Sequence, residues 1–116
     1  MSRNLSLYLD DIVTSIEKIQ RFTADLNQDA FMADERTFDA VIRNLQVIGE
    51  AVKQIPTDLR DRYPQIEWRK VAGLRDILTH AYFSIDHDIL WDIIQTQLNK
   101  LHDCITKNPG SKAPSF

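Results

Sequence analysis

The chain has few of the residues that interrupt helices: three glycines and four prolines in 116 residues. Pro109, Gly110 and Pro114 crowd the C-terminal end, so the body is poorer still in breakers. Such scarcity disfavours a fold of many tight turns and favours long helices. Cys104 is the single cysteine, which excludes an intrachain disulfide and a Cys-based zinc site. No apolar run approaches the ~18 residues a membrane span requires. The opening Met1-Ser2-Arg3-Asn4 lacks the apolar core of an export signal. A cytoplasmic protein with no membrane partner is the expectation. The net charge of −3 argues against a general nucleic-acid coat protein. It leaves room for a locally basic site. Arg60, Arg62, Arg69, Lys70 and Arg75 gather against Asp61 and Glu67, although a solvated helix face would look the same.

What is present is helical periodicity. Leu5, Leu9, Ile12, Ile16 and Ile19 form one apolar stripe, predicting a helix from about Asn4 to Leu26. Asn27, Gln28 and Asp29 supply turn chemistry. Asp34 can cap a second helix running to about Ile55, with Phe38, Val41, Leu45, Ile48 and Val52 inward. Pro56 ends it, and Thr57 is placed to cap a short turn before Pro64. A third pattern starts at Glu67 and runs through Trp68, Val71, Leu74 and Leu78, with Gly73 as a possible bend. After a break at Ser84 to Asp86, a last helix is expected from about His87 to Lys107, stopped by Asn108-Pro109-Gly110. No segment alternates with a period of two, so no sheet is expected. The predicted fold is an all-α antiparallel bundle of three long helices plus a broken fourth. It occupies residues 1–108, with 109–116 as a flexible tail.

The chemistry concentrates in Arg75-Asp76-Ile77-Leu78-Thr79-His80-Ala81-Tyr82. Arginine offers a planar fork of donors suited to phosphate. Histidine moves protons near neutral pH. On a helix, Arg75 and Tyr82 nearly share a face, and Asp76 and His80 form an i,i+4 pair. His80 then lies about 140° round the helix from Arg75. A bend after Leu78 would reduce that angle. A homodimer, pairing the two residues across a cleft between chains, would remove the difficulty.

These groups suit RNA transesterification without a metal or cofactor. The ribose 2′-oxygen would attack phosphorus while His80 serves as general base or acid, a role typically contributing ~10²–10⁴-fold. Arg75 would stabilise the phosphoryl charge. Asp76 would orient His80, and Thr79 and Tyr82 would position ribose or phosphate. The bland alternative is that an Arg-x4-His spacing arises often by chance and that an Asp–His pair is a surface hydrogen bond. His87 and His102 have no partners at metal-ligand spacing. Cys104 reads as a small core residue.

The same eight residues match the Arg-x4-His-x-Tyr signature of HEPN-domain toxins of the HepT type. Similar blocks occur at Tyr8-Leu9-Asp10-Asp11-Ile12, at Asp39 to Leu45 and at Ile48-Gly49-Glu50-Ala51. Others are Tyr63 to Trp68, Val71 to Arg75 and Asp86 to Trp91. The resemblance covers residues from about 5 to 105. It implies a homodimeric, metal-independent ribonuclease toxin with Arg75 and His80 as the catalytic pair and Asp76 and Thr79 in support. It also implies a partner, a nucleotidyltransferase antitoxin of the MntA type, which transfers AMP from ATP to the Tyr82 hydroxyl. Asp76 stands where relatives often carry Asn, and Ala81 where Gly is frequent. The competing reading is a non-catalytic helical module that binds nucleotide or protein and partners a nucleotidyltransferase.

Overall fold

The computed structural model describes residues 4–80 and 86–106, and for residues 75–77, 79 and 80 the backbone alone. Tyr82, the expected break at Ser84 and the expected tail at 109–116 lie outside the described residues. Helix α1 spans Leu5–Thr23. Asn4 caps it, its side-chain oxygen accepting the Ser6 N–H at 2.9 Å. Ile12, Ile16 and Ile19 are fully buried along one face. Each such side chain contributes roughly 1.5–3 kcal/mol of transfer free energy.

Residues expected to form only a turn build a short helix, α2, Gln28–Ala33. Asn27 caps it through the Ala30 N–H at 2.8 Å. Phe31 anchors it, fully buried, with ring centroids 5.5 Å from Phe38 and 5.3 Å from Trp91. Asp34 ends α2 and begins α3, Glu35–Val52. Its carboxylate accepts the Thr37 N–H at 3.2 Å and the Thr37 hydroxyl at 3.0 Å. Those bonds, the backbone one first, hold the Asp34 carboxyl below its ordinary pKa.

Helix α3 stops at Val52, short of Ile55, and the chain turns through Ile55 into Pro56. Pro56, rather than Thr57, occupies the N-cap of α4, Thr57–Asp61, with no side-chain cap bond. Thr57 is the first helical residue, where a fixed proline φ before it suffices to start the turn. Helix α5 is Trp68–His80, unbroken at Gly73. Asp86 caps α6, His87–Asp92, accepting the N–H groups of Asp88 and Ile89. The chain continues through a π-helical turn, Ile93–Gln97, into α7, Leu98–Thr106.

The elements form a bundle, and contacts along their lengths give the directions. Gln20 donates to Asn99 at 2.7 Å, Glu17 meets His102 at 2.9 Å, and Leu9 shares a small cavity wall with Cys104. Moving back along α1 therefore moves forward along α7, so the two are antiparallel. Helices α3 and α5 are antiparallel too, because Lys53 and Ile55 after the end of α3 meet Trp68 at the start of α5. The core is one cluster of buried, mostly aliphatic side chains from α1, α3, α5, α6, the π turn and α7, joined by Phe31 of α2. No strand occurs among the described residues. No helix there is long and apolar enough to cross a membrane.

Candidate functional site

Helix α5 carries Arg75, Asp76, Thr79 and His80 of the residues singled out by the sequence. Val71, Leu74 and Leu78 turn one face of it into the core. Trp68 fixes its start, the indole N–H donating to the Tyr63 carbonyl at 3.0 Å. The residue just before α5, Glu67, is held from another helix. Gln97 donates through Nε2 to the Glu67 carboxylate at 3.0 Å, and its Oε1 accepts the Glu67 backbone N–H at 3.3 Å. Gln97 is 3% exposed and stands at the end of the π turn, where the Leu98 N–H reaches back five residues to the Ile93 carbonyl. A buried amide is stable only when bonded, and here both its ends are used. Such turns recur at functional positions.

The backbone of Arg75, Asp76, Thr79 and His80 belongs to α5 without interruption. The helix is continuous between Arg75 and His80. Their Cα positions are about 140° apart around the axis and about 7.5 Å apart along it. Position 75 flanks the buried stripe of Val71, Leu74 and Leu78, whereas position 80 lies on the opposite side of the helix. Tyr82 is outside the described residues.

Beside the N-terminal half of α5 lies an open cleft of about 410 Å³, with Lys53, Arg60, Asp61, Trp68, Arg69 and Gly73 in its walls. Arg60 and Arg69 make no ion pair with a carboxylate among the described residues. The basic run between residues 60 and 75 was the sequence signal for this cleft. Its assembly from α4, α5 and the end of α3 was not legible in one dimension.

The remaining ionisable side chains have structural settings. His102 pairs with Glu17 across the α1–α7 contact at 2.9 Å. His87 is exposed at the start of α6. Cys104 is buried, and that burial pushes its thiol pKa up. The Gln65 amide, donating to Sγ at 3.2 Å, opposes the shift, and the Asp103 charge adds to it. A thiol in this setting is protonated near neutrality and is a poor nucleophile.

Residues 12–107 match the family model described as "Ribonuclease HepT-like". A protein of Thermococcus cleftensis named "Probable ribonuclease HepT" is 43% identical over 101 residues, covering 87% of this chain and 92% of that one. A "Putative RNase" of Methanocaldococcus jannaschii is 46% identical over 92 residues, 79% of this chain and 76% of its own. A longer protein of the same organism, "Gamma-glutamylcyclotransferase and putative RNase", is 37% identical over 107 residues. The match takes in 92% of this chain but 48% of that relative's length. No solved structure matches the chain. With its all-α bundle and a family match over most of its length, the chain belongs to the HepT-like ribonuclease family.

Proposed function

We propose that this chain is a metal-independent ribonuclease acting in the cytoplasm as the toxin of a toxin–antitoxin pair. The contiguous Arg75-x4-His80-x-Tyr82 signature, whose Arg75 and His80 belong to α5, in a chain of the HepT-like family, carries the reading. In the reaction the 2′-oxygen of a ribose bonds to the adjacent phosphorus and the bond to the 5′-oxygen breaks. His80 takes the 2′-proton while water protonates the leaving 5′-oxygen, or the two exchange these roles, and Arg75 neutralises the charge gathering on the phosphoryl oxygens. Asp76 and Thr79 support the pair.

The angle between Arg75 and His80 on an unbroken helix favours a homodimer. Two copies of α5 facing across a two-fold axis bring Arg from one chain and His from the other to one phosphate. Tyr82 is the control point. AMP transferred from ATP to its hydroxyl by a nucleotidyltransferase partner, with pyrophosphate leaving, puts phosphate charge where substrate phosphate belongs and fills the cleft between the chains.

The test uses unmodified protein, verified by intact mass, with total cellular RNA in chelator, beside Arg75→Ala and His80→Ala. RNA loss that persists in chelator and disappears in both variants is the expected outcome. Intact RNA throughout would overturn the nuclease and favour the non-catalytic binding module. For the switch, incubation with the nucleotidyltransferase and ATP should add AMP mass to the wild type and none to Tyr82→Phe.

A further inference from the structure

The cationic cleft beside the N-terminal half of α5 is not part of the signature, yet the helix register joins it to that signature. Arg69, Gly73, Asp76 and His80 occupy positions i, i+4, i+7 and i+11 of one continuous helix, so they lie along a single face. Arg69 and Gly73 belong to the cleft wall. Along the axis, residue 80 is about 10 Å from Gly73 and about 16 Å from Arg69. Three cations, Lys53, Arg60 and Arg69, line the cleft against one carboxylate, Asp61, in a chain whose net charge is −3. The positive charge is therefore local. Trp68, held by its bond to Tyr63, adds aromatic surface to the wall.

We infer that this cleft is a substrate subsite, which takes the backbone phosphates of single-stranded RNA a few nucleotides away from the scissile one. The inference rests on the ribonuclease reading and extends it from the reacting phosphate to the strand beside it. Guanidinium groups with no carboxylate partner among the described residues are the chemistry that phosphate recruits, and an aromatic wall tolerates any base. The strand would run along the face shared by positions 69, 73, 76 and 80. A chain of phosphates fits this better than one mononucleotide, because the distance from the cleft to residue 80 exceeds a single phosphate contact.

The experiment measures binding and cleavage separately. Fluorescence anisotropy with a 2′-O-methyl oligoribonucleotide, which cannot be cut by 2′-oxygen attack, reports Kd over a range of salt concentrations. The double variant Arg60→Gln/Arg69→Gln should weaken Kd by roughly 10-fold and make the salt slope shallower by about 1.4, two phosphate contacts at about 0.7 each. Lys18→Gln/Arg21→Gln removes equal charge from α1 and should leave both quantities unchanged. Equal Kd and slope in wild type and the Arg60/Arg69 variant would overturn the subsite, including the case where the cleft serves an acidic protein instead. Cleavage of the matching unmodified RNA by wild type is assayed in parallel. Failure to cut refutes the nuclease reading, whereas the subsite stands or falls on Kd.

Discussion

Gln97 grips Glu67 at both ends of its amide, one bond to the carboxylate and one to the backbone N–H. The two bonds join the π turn to the residue that immediately precedes the helix carrying Arg75 and His80. Removing the amide leaves a partly buried backbone donor without its acceptor, a loss of about 1–3 kcal/mol. Gln97→Ala should therefore lower stability by that amount in urea unfolding. Glu67→Ala should cost a similar amount, because it leaves Nε2 of the buried Gln97 amide without its acceptor, whereas the lost pair with Lys70 is a surface one and adds little. The double variant should be non-additive by at least ~0.5 kcal/mol if the two residues couple as the geometry requires.

Gly73 behaves differently from a packing glycine. A Cβ built on it meets nothing within 4 Å, and α5 continues through it without a break. Gly73→Ala should therefore stabilise the fold by about 1 kcal/mol, the difference in helix propensity. A rise in thermal midpoint checks this, and a fall would reveal a contact that the geometry does not contain.

Burial raises the Cys104 thiol pKa, the Gln65 bond opposes that shift, and the Asp103 charge reinforces it. A folded-state pKa above the unfolded one means a contribution that is complete below the unfolded pKa and lost as pH rises through the folded pKa. Wild type should thus lose stability more steeply than Cys104→Ala as pH rises above the ordinary thiol pKa of about 8.5. Alkylation of the native thiol at neutral pH should be much slower than that of the unfolded chain.

How much of this was legible beforehand depends on the range of each interaction. Helices α1, α3 and α5 announce themselves because their apolar stripes repeat over several turns. The cap at Asp34 and the stop at Pro56 are local chemistry, readable in place. Helix α2 is six residues long, too short to show a stripe. It exists because Phe31 finds Phe38 and Trp91, and Trp91 is distant in sequence. The π turn leaves no mark on periodicity, since the residues inward of it would be inward in an α-helix as well. Its signature is a polar Gln97 on an apolar stripe. The Arg75 to Tyr82 signature was readable because it is contiguous. The cleft was not, because Lys53, Arg60 and Arg69 come together only when α3, α4 and α5 pack.

The central claim is that Arg75 and His80 cut RNA by internal attack of the 2′-oxygen. The most direct measurement is the chemistry of the new ends, read by mass spectrometry after incubating a defined oligoribonucleotide with unmodified protein in chelator. The account expects 2′,3′-cyclic phosphate or its hydrolysis product on one fragment, a 5′-hydroxyl on the other, and no fragments with His80→Ala. A 5′-phosphate, or the same fragments from His80→Ala, would contradict it.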